Sequence, residues 1–355
     1  MSDALYKELR EKLDQYSIGF NKTESGVEID ILKRVFTPEE AKMYLNLKRE
    51  LESVEVIAER GGYDLETAEA MLFEMKNKGH LFPKTKNNIK YYAAAPVMHG
   101  IFEHQAYTID KELAELFEQY VNEFQPKGLA ARTIPISGEI DKSILITSYD
   151  DVKKIIMEKK RIGLVECACA AKNTAIETGC EKPTEVCMAF DFYAEYAIEE
   201  LGYGRWISHE EAFEVLKLTE EAGLVHQSLG TTENCEAVCN CCGDCCMILK
   251  MIKAFPQPAL LSGSNYQAIL DESNCSQCDI CIERCPMEAI SAGDDSIDLN
   301  LDRCIGCGLC TTTCPSDALT LVAKPGDNIQ TPPDPANYTF MRSSLDFEAD
   351  VAEKV

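Results

Sequence analysis

The sequence contains neither a long apolar run nor a signal-peptide pattern. Within its 355 residues, no stretch approaches the roughly 18 uninterrupted apolar residues of a membrane-spanning helix. Its first residues lack the basic flank and the apolar run that are typical of a signal peptide. We therefore expect a cytoplasmic protein that has no membrane span.

Basic residues are scarce. Lysine and arginine together number 35, against 60 aspartates and glutamates, so the formal net charge is −25. Such a chain repels nucleic acid and anionic lipid over most of its surface, and it favours partners that present basic patches. We expect its partners to be proteins with basic docking surfaces.

Nucleotide-binding and hydrolase signatures are missing as well. There is no Walker loop, and no G-x-G-x-x-G follows a predicted strand. Binding of flavin or nicotinamide is therefore not indicated, and no catalytic residue is predicted.

Cysteine, by contrast, is abundant, with 18 residues. A disulfide framework belongs to oxidising compartments and is densest in small secreted domains, so it does not suit a cytoplasmic chain of this length. Metal ligation is the better explanation. Because oxygen degrades exposed iron–sulfur clusters, we expect an anaerobic setting.

Eight of the cysteines form two identical runs near the C-terminal end. Each run reads C-x2-C-x2-C-x3-C-P, the spacing of bacterial two-cluster ferredoxins, in which the fourth cysteine of a run binds the cluster of the other run. Zinc in one or both sites is the alternative. The sequence therefore predicts two [4Fe–4S] clusters, one held by Cys275, Cys278, Cys281 and Cys314, and the other by Cys304, Cys307, Cys310 and Cys285.

Ten further cysteines lie upstream, in the patterns C-x-C-x10-C-x6-C and C-x3-C-x-C-C-x2-C-C. Helices predicted over 190–201 and from Ser208 onward would fold the chain back and bring the two groups together. Soft thiolates favour iron–sulfur clusters or zinc, so we expect at least one additional cluster, with zinc or free thiols as alternatives. Adjacent cysteines should point apart and serve different metals. The candidates are Cys167, Cys169, Cys180, Cys187, Cys239, Cys241, Cys242, Cys245 and Cys246, with Cys235 the weakest.

Residues 37–95 read as helix, helix, helix and hairpin. Thr37 and Asp64 are placed to cap helices, and Asn87-Asn88 to form the hairpin turn. This order resembles a winged helix-turn-helix domain. Its basic patch could contact DNA phosphates, although the second helix of the pair is acidic and a protein-contact role is the alternative. The patch consists of Lys76, Lys78, Lys84, Lys86 and Lys90.

The order of these segments resembles that of uncharacterised multi-cluster 4Fe–4S ferredoxin-like proteins of anaerobic bacteria and archaea. We expect an α+β multidomain fold with a winged-helix-like N-terminal domain, a helical cysteine-rich middle domain and a C-terminal bacterial two-[4Fe–4S] ferredoxin-like domain. The predicted domains are a helical extension at 1–35, the winged-helix-like domain at 36–96, a connector with the cysteine-rich domain at 97–262, the ferredoxin domain at 263–323 and a Pro-rich acidic tail at 324–355. A short strand is predicted at 144–147.

The resemblance implies electron transfer and names no substrate. We expect an iron–sulfur protein that passes low-potential electrons between redox partner proteins, as a carrier or oxidoreductase subunit more than as a stand-alone enzyme. Two alternatives remain. One is a redox-sensing winged-helix transcription regulator, and the other is a reductase subunit whose middle cluster binds substrate.

Overall fold

A computed structural model describes residues 2–124, 131–136, 148–326 and 329–332. They combine helices and strands, as the α+β prediction requires. The strand predicted at 144–147 and most of the tail predicted at 324–355 lie outside the described residues. None of the helices in these ranges is both long and apolar enough to cross a membrane.

The N-terminal part consists of five helices and a small antiparallel sheet in the order β1-β3-β2. The helices are α1 (Ser2–Leu13), α2 (Val27–Val35), α3 (Pro38–Leu45), α4 (Val54–Gly61) and α5 (Leu65–Asn77). The strands are β1 (Glu52–Ser53), which precedes α4, and the hairpin β2 (Leu81–Lys86) and β3 (Ile89–Ala94).

The predicted start and turn signals are confirmed here. The Thr37 side chain accepts a hydrogen bond from the Glu40 N–H while the Glu40 carboxylate accepts one from the Thr37 N–H, a complete capping box. Asp64 caps α5 by accepting from the Thr67 N–H. Asn87 and Asn88 form the hairpin turn with φ of 50° and 61°. The winged-helix assignment itself stays a prediction.

The middle part is built on a six-stranded antiparallel sheet in the order β4-β8-β9-β6-β5-β7. Its strands are β4 (Arg132–Ile134), β5 (Ile162–Glu166), β6 (Glu185–Phe190), β7 (Arg205–Ile207), β8 (Val225–Gly230) and β9 (Cys235–Cys241). Its helices are α6 (Lys111–Glu123), α7 (Val152–Met157), α8 (Ala168–Ala175), α9 (Asp191–Glu195), α10 (His209–Glu221), α11 (Met247–Lys253) and α12 (Pro258–Leu261). Irregular or 3₁₀ turns occupy Val97–Ile101, Glu103–Tyr107 and Ser148–Asp150, and a π-turn at Tyr196–Glu200 continues α9.

The prediction of a helical middle domain is therefore wrong, because the core of this part is a six-stranded sheet. Both faces of the sheet are covered: Met188 and Val238 pack with α7 and α10, whereas Ala189 and Ala237 belong to the core shared with the N-terminal part. A strand that is buried on both faces has no alternation of apolar and polar residues, so the pattern that identifies strands is missing from the sequence.

The C-terminal unit contains two strand pairs around the cysteine runs. β10 (Tyr266–Leu270) pairs with β13 (Leu319–Ala323), and β11 (Ile290–Ala292) pairs with β12 (Ile297–Leu299), both antiparallel. A helix, α13 (Ile280–Arg284), follows the first cysteine loop, after a 3₁₀ turn at Glu272–Asn274. At the equivalent point after the second cysteine loop, residues 309–313 form turns.

The two cysteine loops share one backbone path. Left-handed residues recur at the same places in each run: Gln277 matches Gly306, and Asp279 matches Gly308. The same holds downstream, where Glu288 matches Asp317. The unit is therefore a structural repeat.

Two arginines join the C-terminal unit to the middle part. Arg284 donates to the carbonyls of Glu220 and Glu221, the second at 2.9 Å, at the end of α10. Arg303 donates to the Lys253 carbonyl at 3.2 Å, at the end of α11. Helix C-termini carry partial negative charge and unpaired carbonyls, so both arginines bind where cations are favoured.

A partly buried carboxylate links three helices of the middle part. Glu118 of α6 forms ion pairs with Lys172 of α8 and Lys250 of α11. The Lys172 side chain is fully buried, so this carboxylate compensates a charge that water does not reach. Burial acts to raise the pKa of Glu118, but the hydrogen bonds from the two lysines outweigh it and lower that pKa.

Neutralising this carboxylate tests its role. Glu118→Gln should destabilise the fold by about 2 to 3 kcal/mol, because a buried lysine loses its counter-charge. The measurement is the urea midpoint by circular dichroism without oxygen, at matched iron content. The contribution of ionised Glu118 to the free energy of unfolding should be complete above the ordinary Glu pKa of 4.5. It should be lost as the pH falls through the lowered pKa of Glu118 in the folded state.

The exposed i,i+4 pair of Lys217 and Glu221 provides the control for this experiment. Glu221→Gln should cost less than about 0.5 kcal/mol, since exposed pairs contribute little. Equal losses in the two variants would contradict the role assigned to Glu118.

Candidate metal centres

Six cysteines of the middle part form a closed ring of side-chain contacts, here called the cysteine ring. Each of these side chains interacts electrostatically with the next, in the order Cys167, Cys169, Cys246, Cys241, Cys239, Cys187 and back to Cys167. Local structure explains the arrangement. Cys239 and Cys241 are two residues apart on β9 and so share a face, and Met188 pairs with Val238, which sets Cys187 beside Cys239.

Hydrogen bonding divides the ring into two kinds of thiol. The pKa of Cys239 is lowered to about 5, first by its hydrogen bond with Cys187 and then by that with Cys241. The same effect lowers the pKa of Cys167 and Cys246, whereas hydrogen bonds to these thiolates raise the pKa of Cys169, Cys187 and Cys241. Six neighbouring sulfurs can all be thiolates only when cations replace their protons, which is the chemistry of a metal or cluster site.

A second group, the cysteine triad, consists of Cys180, Cys242 and Cys245. The Cys180 Sγ lies 3.5 Å from the Cys242 Sγ and 3.6 Å from the Cys245 Sγ, and all three sulfurs lie within 4.8 Å of one another. The backbone N–H of Asp244 donates to the Cys242 Sγ at 3.3 Å. Three thiols leave one position of a tetrahedral metal to another ligand.

Adjacent cysteines diverge, as the sequence predicts. Cys241 and Cys246 belong to the cysteine ring, whereas their neighbours Cys242 and Cys245 belong to the cysteine triad. Cys235 joins neither group. Its partly buried thiol donates to the Ala237 carbonyl at 3.3 Å, and desolvation raises its pKa to about 12.

The eight C-terminal cysteines interact with one another electrostatically. Cys281 interacts with Cys278, Cys314 and Cys275. Cys307 interacts with Cys285 and Cys304, and Cys310 interacts with these three and also with Cys281. Burial raises the pKa of Cys307 to about 12, so its thiolate requires a nearby cation. Which atoms each cysteine binds stays a prediction.

Backbone N–H groups point at these sulfurs in matching positions of the repeat. The N–H of Ala289 donates to the Cys285 Sγ, and that of Ala318 to the Cys314 Sγ, both at 3.3 Å. The Ala268 N–H donates to the Cys304 Sγ at 3.5 Å. Such donors stabilise negative charge on sulfur and so influence the reduction potential of a bound cluster.

One of the two C-terminal sets faces the middle part. Cys285 and Cys307 pack against the same core that contains Cys241 and Cys246 of the cysteine ring. Gly243, between the two cysteine pairs, contacts Pro286 so closely that a Cβ on it would lie 2.9 Å from the Pro286 Cβ. The other set faces outward, since Cys278 is exposed.

The basic patch proposed for DNA is engaged within the chain. Lys78 pairs with Glu40 at 2.6 Å, and Lys90 with Glu69 at 3.5 Å. Lys76 is 9% exposed and contacts Glu200, while the Lys84 Nζ lies 5.1 Å from the Phe192 ring centre. Lys86 also interacts within the chain. Of these contacts, those of Lys76 and Lys84 reach the middle part, whereas those of Lys78 and Lys90 stay within the N-terminal part.

Sequence reasoning missed the groups that surround the cysteine ring. His99, Glu103 and Glu236 all border a cavity that Cys187 and Cys239 also line. The one available signal is Glu236, an acidic residue within the apolar stretch between Cys235 and Cys239. A charged residue at a buried strand position is unusual enough to indicate a role.

Comparison with known families supports an iron–sulfur assignment for the C-terminal unit. Residues 268–321 match a family model described as a 4Fe-4S dicluster domain. No curated protein and no solved structure matches the chain. The chain therefore carries an iron–sulfur, metal-binding domain of the ferredoxin type, and the cysteine-rich middle part precedes it.

The second cysteine loop depends on a glycine. Gly306 has φ of +68°, and a Cβ on it would lie 2.1 Å from the Tyr266 carbonyl oxygen. Gly306→Ala should therefore lower the urea midpoint and reduce the iron retained per chain, since β10 must move away from the loop. The control is Gly62→Ala, with φ of +71° and nothing within 4 Å, which should cost only about 1 to 2 kcal/mol of left-handed strain. Similar behaviour of the two variants would count against the close approach.

Proposed function

We propose that this protein is an iron–sulfur electron-transfer protein that passes low-potential electrons between redox partner proteins. The observation that carries this proposal is the packing of the 4Fe-4S dicluster domain against the middle part, in the core that also contains members of the cysteine ring. A simple carrier needs only the first of these features. The second supports a further redox centre in the middle part.

The proposed ligands follow the geometry of the cysteine groups. One [4Fe–4S] cluster would be held by Cys275, Cys278, Cys281 and Cys314, and another by Cys304, Cys307, Cys310 and Cys285. The cysteine ring would hold an additional iron–sulfur cluster, because its six thiols are buried or partly buried and mutually hydrogen-bonded. The cysteine triad would hold zinc or a further cluster.

The chain's own residues prepare these sites for redox work. An iron–sulfur cluster, when bound, accepts and releases one electron at a time. Ile290, Ile297 and Leu319 pack around Cys281 and exclude water, which affects the potential together with the N–H donors described above. Ala268 and Ala289 do the same beside Cys304.

Charge indicates the kind of partner. Residues 271–322 contain ten acidic side chains, and their only basic ones are Arg284 and Arg303. Both arginines donate to backbone carbonyls of the protein itself. The surface near the exposed Cys278 is therefore acidic, which suits a redox partner with a basic docking face.

A reductase subunit is the second candidate, and the cavity beside the cysteine ring favours it. Within the part of the chain that the structure describes, no such observation favours a DNA-binding regulator, because lysines of the basic patch contact groups within the chain. Anaerobic and cytoplasmic operation is part of the proposal.

Iron analysis tests the ferredoxin assignment. On protein purified without oxygen, we expect about twelve or more iron and sulfide per chain, because each cubane contributes four. Cys307→Ser should lose about four iron and slow electron transfer to an acceptor protein. Cys235→Ser is the matched control, a partly buried thiol outside every group, and should lose none. Normal transfer in Cys307→Ser would refute the assignment, and about eight iron in the wild type would leave the ring without a cluster.

Neighbouring cysteines separate the two middle groups. Cys241→Ser should remove iron from the cysteine ring and alter the electron paramagnetic resonance spectrum of the reduced protein. Cys242→Ser should leave that spectrum intact and change only the metal of the cysteine triad. The measurement is metal content together with the spectrum. Identical metal losses would show that the ring and the triad form one centre.

A further inference from the structure

A cavity lies directly beside the cysteine ring. Cys187 and Cys239 form part of its wall, and apolar side chains such as Met188 and Leu229 form much of the rest. Its volume is about 70 Å³. Since one water needs roughly 10 to 15 Å³ on this scale, the cavity suits a molecule of a few non-hydrogen atoms.

The cavity wall carries buried polar atoms that have no hydrogen-bond partner. Glu236 is 3% exposed, and both of its carboxyl oxygens are without one. His104 is 5% exposed, and its Nε2 is likewise unpartnered. Native proteins rarely leave such groups unsatisfied, so they indicate a bound ligand or ordered water.

Two other titratable side chains of the cavity wall, His99 and Glu103, pair with each other. The His99 Nδ1 lies 3.1 Å from the Glu103 Oε1, and Glu103 also accepts from the Gly100 N–H at 2.5 Å. Burial raises the pKa of Glu236 to about 8, which agrees with a neutral carboxyl group. Burying a charged ligand among apolar side chains would be unfavourable, so an uncharged ligand is the better fit.

Two stacked aromatic rings form part of the cavity wall near the protein surface. Tyr107 and Tyr203 both line it, and their rings stack with centroids 4.2 Å apart. Tyr107 is 42% exposed, and its hydroxyl accepts from the Glu166 N–H. The stacked pair therefore lies between solvent and the cavity interior.

We propose that this cavity binds a small uncharged molecule that has hydrogen-bond donor and acceptor atoms, with Glu236 as its main polar contact. The bound molecule would lie against Cys187 and Cys239 of the cysteine ring. Binding itself follows from the cavity, whereas its interpretation as the substrate site of a reductase rests on the proposed function.

The test uses formamide as the probe and formate as its charged match of the same size. Saturation-transfer NMR on anaerobically purified full-length protein should detect formamide with a Kd of about 1 to 10 mM, since three non-hydrogen atoms limit the affinity. Formate should bind at least tenfold more weakly. Absence of formamide binding at 100 mM (about tenfold above the expected Kd), at full iron content, would overturn the proposal.

Two variants of Glu236 identify the contact. Glu236→Leu removes both unpartnered oxygens and should weaken formamide binding at least tenfold, whereas Glu236→Gln keeps a donor and an acceptor and should remain within about threefold. Iron content must match the wild type in both. Undiminished binding in Glu236→Leu would also overturn the proposal. Formamide binding to a wild-type protein that lacks iron in the ring would refute the additional cluster and leave the ligand site standing.

Discussion

Close packing of sulfur is the constraint on which the middle part of this protein depends. The six thiols of the cysteine ring interact with one another, and all of them are buried or partly buried. Their protons cannot all leave unless cations take their place, because neighbouring thiolates repel strongly at low dielectric. Bound metal would therefore compensate the negative charge of these thiolates within the fold. Folding and metal binding should be coupled, as in other proteins whose ligands converge from distant segments.

The two cysteine systems differ in how the chain builds them. In the C-terminal unit, three cysteines of each set come from one tight loop, and left-handed residues such as Gln277 and Gly306 shape both loops alike. The cysteine ring instead takes its members from the start of α8, from β6, from β9 and from the start of α11. Closing such long loops costs chain entropy before any ligand contact forms. The ring thus requires the sheet, whereas the ferredoxin loops need little beyond their own sequence.

This difference explains what the sequence could and could not predict. Thr37 and Asp64 predict the starts of their helices because a helix cap is a local interaction. The two Cys-Pro runs predict a dicluster domain because the cysteines of each loop are close in sequence. The six-stranded sheet was missed because both of its faces are buried. The division of the middle cysteines into ring and triad depends on strand register, which spacing alone does not contain. Glu236 and His99 meet only after the sheet and the turn near residue 99 have packed together.

Two arginines set the orientation of the C-terminal unit, whereas its acidic side chains suit it to a basic partner. Residues 271–322 are strongly acidic, and their two arginines, Arg284 and Arg303, both bind helix C-termini of the middle part. Partial negative charge at those termini attracts them, and no acidic side chain has to be buried in exchange. The arginines thereby hold Cys285 and Cys307 toward the cysteine ring. Because both arginines are used in this attachment, residues 271–322 contribute no other basic side chain to the face near Cys278. Attachment to the middle part and attraction to a basic partner therefore use opposite ends of the unit.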